Sequence, residues 1–227
     1  MPSYSGVFTL QAQMQAKAAS NWPDPNVPSV IGQAFGGGFY AGQIGVSSVA
    51  THYLIIGPVS TAETTLAWKN ANTATPNSDS AIDGPQNTAD MVADGNSTVY
   101  PCAHFCNNLS TGGQTDWYMA ARNELEICYF NLKPTTTSNN TGSGINANAV
   151  PSRGSNYTAG NPAQTTSTDF RSTGAEDFAT VFYWSSTTAP APSSATASSG
   201  QSFNNGFQYA NAKSYAYKVR AIRRVAV

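Results

Sequence analysis

Apolar residues in this chain occur in short runs separated by long polar stretches, a pattern that predicts a mixed α and β domain. A glycine-rich run over residues 35–44 predicts one strand, and the apolar run over residues 52–57 predicts its buried partner. Residues 66–69 predict a third short strand. From residue 72 to residue 86 the composition indicates a loop.

Helical segments are predicted mainly in the middle of the chain. The strongest covers residues 121–132, where apolar residues recur and Pro134 prevents continuation. Weaker helical segments or turns are predicted at residues 88–93, 100–109 and 174–179. The polar stretch over residues 135–168 predicts a long loop, and loops of this length are usually functional or ordered by packing against their neighbours.

The last third of the chain carries the most informative pattern. An aromatic strand over residues 183–187 leads through a stretch rich in Ser, Ala and Thr into a predicted hairpin, whose turn is the Asn205-Gly206 pair. Residues 214–225 predict a buried terminal strand that closes a central sheet. Alternation along that strand places Tyr215, Tyr217, Val219, Ala221 and Arg223 on one face, and Lys218, Arg220, Ile222 and Arg224 on the other.

Residues 1–29 differ in composition from the rest of the chain and predict an N-terminal docking arm with a proline-rich linker. Three prolines within residues 22–28 break any helix and favour a stiff extended linker. Too few apolar residues occur here for the arm to fold alone, so Phe8, Leu10 and Trp22 are the candidate anchoring residues. A cloning tag or a disordered tail is the alternative. Residues 30–227 predict one domain.

Composition narrows the classes of partner. Only 10% of the 227 residues are charged and the formal net charge is −1, against roughly 25% charged residues in ordinary soluble domains. Such a surface lacks the electrostatic field that steers a protein onto phosphate backbones, so we expect no nucleic acid partner.

The first 32 residues contain no basic region followed by an apolar one, and no apolar run approaches the roughly 20 residues of a membrane span. We therefore expect synthesis in a reducing cytoplasm, with no signal peptide and no membrane insertion.

Three blocks, in this order, resemble the DUF1566 (Lcl C-terminal) group of domains. They are residues 115–125 (Thr-Asp-Trp-Tyr-Met, then Arg-Asn-Glu-Leu after two alanines), residues 183–187 (Tyr-Trp-Ser-Ser-Thr) and residues 219–223 (Val-Arg-Ala-Ile-Arg). The resemblance covers roughly residues 30–227. The group is related to the C-type lectin fold and, more distantly, to the formylglycine-generating enzyme. The resemblance therefore implies an α+β, C-type-lectin-like fold with a twisted antiparallel sheet, few short helices and long irregular loops.

Further segments are similar to structural proteins of tailed bacteriophages, which implies a virion component. These segments are residues 6–10, 35–42 and 131–136. The chemistry of the better-known relatives does not carry over. Formylglycine-generating enzymes rely on a pair of cysteines near the C-terminus, and this chain has no cysteine after Cys128. Calcium-dependent lectins carry Glu-Pro-Asn or Gln-Pro-Asp together with Trp-Asn-Asp, and none of these triplets occurs.

The sequence contains no evident catalytic or metal-binding group. Cys102 and Cys106 share one face of a predicted helix while His104 points away, which favours a buried pair of thiols over a metal site. Glu124 and Glu126 point to different faces of their helix, and Glu124 lies in the first turn, where a carboxylate favours the helix dipole. The three cysteines exclude a complete disulfide framework. We expect no enzymatic activity, no cofactor and no metal.

Recognition residues are expected mainly between Thr187 and Tyr209, because loops held on a rigid scaffold concentrate binding residues. Trp117 and Trp184 are expected in the core instead. A solvated hairpin without a ligand is the alternative interpretation. The candidate surface residues are Thr187, Asn204, Asn205, Gln208, Tyr209 and Asn211.

Together these patterns favour a bacteriophage virion protein, a tail-fibre or tail-tip adhesin that binds a host surface glycan or protein non-covalently. The arm would contact other virion proteins, and a homo-oligomer, with a trimer as one option, would make weak polar contacts effective through multivalency. One alternative is a purely structural decoration, neck or baseplate protein with the same fold. A weaker alternative is a variable binding protein whose C-terminal segment is diversified by a retroelement.

Overall fold

The computed structural model describes residues 27–227. The predicted anchoring residues Phe8, Leu10 and Trp22 lie outside the described residues. Nine strands occur in the described part of the chain: β1 (Ala34–Phe35), β2 (Gly38–Val46), β3 (Val49–Ile56), β4 (Glu63–Ala67), β5 (Tyr118–Met119), β6 (Phe182–Thr188), β7 (Ala197–Ser202), β8 (Gln208–Ala212) and β9 (Ala216–Ala226). The helices there are α1 (Val59–Ala62), α2 (Gly84–Asp94), α3 (Pro101–Asn107) and α4 (Arg122–Leu132), with 3₁₀ turns at Thr168–Phe170 and Ser193–Ala195.

This arrangement confirms the α+β class and most of the predicted elements. The third predicted strand lies slightly earlier, at β4, because that segment pairs along the first half of β9. The predicted helical turn at residues 174–179 is wrong, since this segment forms only irregular turns. Its polar groups serve tertiary contacts instead: the Glu176 carboxylate accepts from the Val59 amide at 2.8 Å and from Arg220 at 2.6 Å.

The C-terminal strand β9 lies in the middle of the sheet, whose strand order is β1-β2-β3-β9-β6-β7-β8. Its second half pairs antiparallel with β3 and β5, while its first half pairs antiparallel with β4 and touches β6 in parallel. The predicted role of the terminal strand in the central sheet is therefore confirmed. Consequently the last residues of the chain connect the β1–β3 part of the sheet to the β6–β8 part.

Hydrophobic layers cover both faces of this sheet. On β3, Leu54 and Ile56 face the layer that contains α4, whereas Tyr53 and Ile55 face the layer that contains α2 and α3. Alternation of side chains along a strand produces this division. Because both faces are covered, residues 53–56 of β3 form a continuous buried run without polar alternation.

The predicted long loop after α4 is ordered by buried polar contacts. Lys133, 2% exposed, donates from Nζ to the Thr137 carbonyl at 2.6 Å and to Asn139 Oδ1 at 2.7 Å. Farther along the loop, the Tyr157 phenol donates to buried Glu126 at 2.7 Å.

None of the helices within residues 27–227 combines the length and the apolarity that a bilayer crossing requires.

Candidate recognition surface

The hairpin formed by β7 and β8 is held in one conformation by its turn at residues 203–206. Asn205 Oδ1 accepts from the Phe207 amide at 3.2 Å, which fixes the turn locally. Gly206 has a φ of 76°, and a Cβ at this position would lie 2.3 Å from Cε1 of Tyr129 in α4. Only glycine satisfies both the left-handed conformation and the close approach. The predicted Asn205-Gly206 turn is present and is pressed against the core.

One face of the hairpin borders a groove of about 470 Å³. Gln208 lies on this side, since its side-chain Oε1 accepts from the Gly144 backbone amide at 3.3 Å and its backbone amide donates to Ser143 Oγ at 3.0 Å. The lining of the groove consists mostly of small and polar residues, among them Gly142, Ser143, Asn156, Ser199, Gln208 and Ala210, with Arg122 and Pro190 at its margin.

Thr187 does not belong to this surface, and its assignment as a surface residue is corrected. It is 3% exposed, its hydroxyl donates to the Ser80 carbonyl at 2.8 Å, and it accepts from the Arg122 amide at 2.9 Å. The Ser-rich segment that follows is also not one open loop, because β7 is a largely buried strand in which Ser198 Oγ donates to the Thr187 carbonyl at 2.8 Å. Hydroxyl groups that bond to nearby backbone can be buried at little cost.

The remaining predicted residues are accessible in part. Asn204 is exposed at the tip of the hairpin, and Asn205 is half-buried beside it. Tyr209 and Asn211 are half-buried and lie on the face opposite to Gln208, as alternation along β8 requires. The hairpin thus divides the predicted recognition residues between the groove, the tip and the opposite face.

On that opposite face, five aromatic rings form a continuous row, which we call the aromatic ladder. The ladder consists of Phe207, Tyr209, Phe182, Tyr217 and Tyr215, with successive ring centroids separated by 4.8, 4.5, 4.7 and 6.0 Å. The two end rings are the most exposed, at 42% for Phe207 and 53% for Tyr215. Trp184 lies beneath, 5.3 Å from Phe182 and 5.2 Å from Tyr217.

Gly200 makes the ladder continuous across β7. It pairs with Tyr209 on one side and Trp184 on the other, and a Cβ there would lie 2.5 Å from Cζ of Phe182. Because Gly200 has no side chain, the rings of Tyr209 and Phe182 meet across the intervening strand. The ladder is therefore a product of three strands and one glycine.

Lys218 and Arg220, the charged residues of β9 nearest to Tyr217, point away from the ladder. Lys218, next to Tyr217, binds Glu63 at 2.6 Å on the other face of the strand. Arg220, on that same face and 2% exposed, binds the Glu176 carboxylate. Alternation thus separates an uncharged aromatic face from a buried ionic network.

Two N–H donors at the ladder have no hydrogen-bond partner among the described residues: Trp184 Nε1 and Asn211 Nδ2. The other buried indoles differ, since Trp68 Nε1 donates to the Ser185 carbonyl at 2.8 Å and Trp117 Nε1 to the Gln114 carbonyl at 3.2 Å. Leaving a buried donor unpaired costs about 1–3 kcal/mol.

The two glutamates of α4 belong to separate buried networks. Glu124 accepts from the Tyr118 phenol at 2.6 Å and from Arg224 at 2.7 Å, whereas Glu126 binds Asn146 and Arg153. Burial raises the pKa of both carboxyl groups, and the neighbouring arginine opposes the rise in each case. Both are fully buried and join distant segments, so their geometry serves structure.

The cysteines are buried, and His104 contacts the backbone. Cys102 and Cys106 are free and buried, as predicted, and so is Cys128. His104 contacts the Gly95 carbonyl through Nε2 at 2.7 Å. Within residues 27–227, no cluster of three or more His, Cys, Asp or Glu side chains is arranged to hold a metal ion.

Sequence reasoning missed Phe182, Phe207, Tyr215 and Tyr217 as members of this surface. The signal available was the spacing of two residues between aromatics at 207 and 209, and again at 215 and 217, which places each pair on one face of a strand. The spacing does not reveal that the two pairs meet through Phe182.

Comparison with protein families gives a match to the Lcl C-terminal domain over residues 57–223. Among curated proteins, none matches at the significance applied. The matched segment spans most of the chain and contains the strands that build the hairpin and the aromatic ladder, together with all three blocks whose order suggested the resemblance. The chain belongs to the Lcl C-terminal domain family.

Proposed function

We propose that this chain is a bacteriophage virion protein, a tail-fibre or tail-tip adhesin that binds the host surface non-covalently through the β7–β8 hairpin and its two faces. The observation that carries the proposal is the aromatic ladder, whose exposed end ring Phe207 lies on a hairpin pinned to the core. Aromatic side chains supply large contact areas at low entropic cost, and amide side chains supply adaptable hydrogen bonds. Rigid presentation lowers the cost of ordering on binding.

Within this proposal the fold is a C-type-lectin-like one. The position of β9 supports it, because a C-terminal strand that pairs with β3 brings the two ends of the domain together on one sheet. The long loop after α4 is held to the body by Lys133 and Glu126, which agrees with irregular loops ordered on a compact sheet.

Binding by a single copy would be weak, since the surface is shallow and carries little charge. Several copies on one particle would raise the effective concentration of sites and the avidity. We therefore include a homo-oligomer, with the N-terminal arm contacting other virion proteins, in the proposal.

The test uses intact particles and the full chain. Immunogold labelling with antibody against the chain is expected at fibre or tail tips, and soluble full-length chain is expected to bind permissive cells saturably and to block particle adsorption. Asn204→Lys, which adds charge and bulk at the hairpin tip, should weaken the block. Asn107→Lys, at an exposed asparagine of α3, is the matched control. Absence of label on particles, with protein present in infected cells, would refute the virion role.

One observation favours a purely structural role as second candidate. β8 lies at the end of the strand order, so its outer edge pairs with no other strand of the described residues. An open edge can pair with a neighbouring chain. In that case label would spread over the capsid, neck or baseplate, and hairpin substitutions would impair assembly more than adsorption.

Diversification by a retroelement is a variant of the adhesin proposal. Asn204, Asn205, Tyr209 and Asn211 cluster on one hairpin, where variation would alter recognition without changing the core. A template repeat near the gene, matching the codons of this segment, is the expected result; its absence would remove this variant alone.

A further inference from the structure

We propose that the aromatic ladder binds an uncharged carbohydrate chain, with sugar rings stacked on the exposed rings of Phe207 and Tyr215. This inference rests on the proposed recognition role of the hairpin and names the chemical class of its ligand. Four properties of the ladder lead to it: the ring arrangement, the absence of charge, the size of the exposed area and the phenol groups.

The ring arrangement offers stacking positions at both ends. Phe207 lies nearly parallel to Tyr209, with an interplanar angle of 19°, so one face of Phe207 is covered while the residue remains 42% exposed. Tyr215 meets Tyr217 edge-on at 89° and is 53% exposed. The electron-rich face of an aromatic ring attracts groups with positive edges, and the C–H groups on one side of a pyranose ring have that character.

The absence of charge favours an uncharged ligand. All five ladder residues are neutral aromatics, and the adjacent Lys218 is engaged with Glu63 on the other face of β9. The next residue of the ladder face beyond Asn211 is Lys213, which is fully buried and donates to backbone carbonyls. Among residues 27–227, therefore, neither Lys213 nor Lys218 is free to pair with a sulfate or a carboxylate at the ladder.

The exposed area fits a small ligand better than a protein. An aromatic side chain presents roughly 150–250 Å² in total, so two rings about half exposed and three rings less exposed offer on the order of a few hundred Å². A stable protein partner needs roughly 800 Å² on each side. An oligosaccharide needs only a few rings and a few hydrogen bonds.

The polar groups at the ladder match the hydroxyl groups of a sugar. The phenols of Tyr209, Tyr215 and Tyr217 can donate or accept hydrogen bonds, and so can sugar hydroxyls. The face thus combines ring surfaces with phenol groups, the combination that recognition of a neutral polyol requires.

The test titrates the full chain with three uncharged probes: maltohexaose, cellohexaose and chitohexaose. Calorimetry gives the affinity, and Trp fluorescence reports on Trp184, which contacts Phe182 and Tyr217. We expect saturable binding of at least one probe. The double variant Phe207→Ala/Tyr215→Ala should weaken it by about tenfold or more, whereas Phe207→Tyr/Tyr215→Phe, which keeps both rings, should retain it. Val49→Ala, exposed on the β2–β3 hairpin, controls for loss of any surface apolar group.

The outcomes separate this inference from the proposed function. Binding of host cells without binding of any uncharged probe would overturn the carbohydrate assignment and leave the adhesin intact. Binding of a probe without binding of host cells would support the carbohydrate site and count against the adhesin. Equal probe affinity in wild type and in the double-alanine variant would overturn the assignment, because the rings would then be unnecessary for binding. A wild-type oligomer that becomes a monomer in this variant, as measured by light scattering, would also overturn it, because a second copy would then cover the rings.

Discussion

Arg224, in the last strand, donates from Nε to Oε1 of Glu124 across 2.7 Å. The same carboxylate accepts from the Ala121 amide at 2.7 Å, which caps the start of α4, and from the Tyr118 phenol at 2.6 Å. Glu124 is fully buried. One carboxylate therefore joins the terminal strand, the main helix and β5.

Removing Glu124 should be strongly destabilising. Glu124→Ala leaves the Arg224 guanidinium without its buried partner and uncaps α4, so we expect the free energy of unfolding to fall by about 3–5 kcal/mol. Urea denaturation followed by circular dichroism measures it. Asp116→Ala is the control, because Asp116 binds Arg223 at 2.7 Å but its side chain is 55% exposed; we expect a loss within about 1 kcal/mol. Equal losses in the two variants would contradict this account.

Lys213 should make stability depend on pH. Burial, with a smaller contribution from Lys69, lowers the pKa of Lys213 to about 8 from an unperturbed 10.5. Between these values the unfolded state binds more protons than the folded state, so this group's contribution to stability rises with pH and its cost is fully present below pH 8. From pH 7 to pH 9 wild type should gain about 1.4 kcal/mol relative to Lys213→Met.

The comparison with Lys213→Met is necessary because other groups act in the opposite direction. Burial raises the pKa of Cys102, Cys106 and Cys128, which makes the folded state lose stability as the pH rises above their ordinary value. Both proteins share that effect, so it cancels in the difference. Lys69→Met should move the rise to higher pH by removing the neighbouring charge. A difference between wild type and Lys213→Met that stays constant with pH would refute the prediction.

Gly206 should tolerate no side chain. Gly206→Ala combines a φ of 76° with a Cβ 2.3 Å from Tyr129, so we expect a loss of about 2–4 kcal/mol in thermal or urea unfolding. Gly113→Ala separates the two causes, because Gly113 has a φ of 72° and no atom within 4 Å of the added Cβ. That variant should lose only about 1 kcal/mol. If both variants lost the same amount, crowding against Tyr129 would have no part in holding the turn.

The three buried thiols should be unreactive in the folded protein. Burial raises their pKa values, and the thiolate is the reactive form. At pH 8 we expect Ellman's reagent to label none of them quickly and all three after unfolding. Ser193→Cys, at an exposed position of the loop before β7, provides a reactive reference thiol. Native thiols that react within about tenfold of the reference rate would indicate local opening that the packing does not predict.

Local pattern was sufficient for several features of the fold. The apolar spacing of α4 and the stop at Pro134 gave the helix its bounds to within one residue. Trp117 and Trp184 lie in the core as their size suggested. The pairing potential of β9 was visible in its alternation. These features depend on interactions between near neighbours in sequence, which a single sequence displays directly.

Other features depend on partners that are distant in sequence. Thr187 looked like a surface residue because it is polar and ends the predicted strand, yet its hydroxyl bonds to the Ser80 carbonyl, 107 residues away. Lysines are mostly exposed, yet the ammonium group of Lys213 lies among carbonyls of two separate loops. A polar side chain can be buried wherever distant backbone supplies its hydrogen bonds, and sequence spacing does not show where that occurs.

The sequence by itself determined which aromatic residues share a strand face, because alternation is a local property of extended backbone. Only the tertiary structure decided that Phe207, Tyr209, Phe182, Tyr217 and Tyr215 form one row. That row requires β6 to lie between β9 and β7, and it requires Gly200 to leave the space across β7 empty. The order of strands in a sheet is set by burial summed over the whole domain, and no single segment of the chain contains that information.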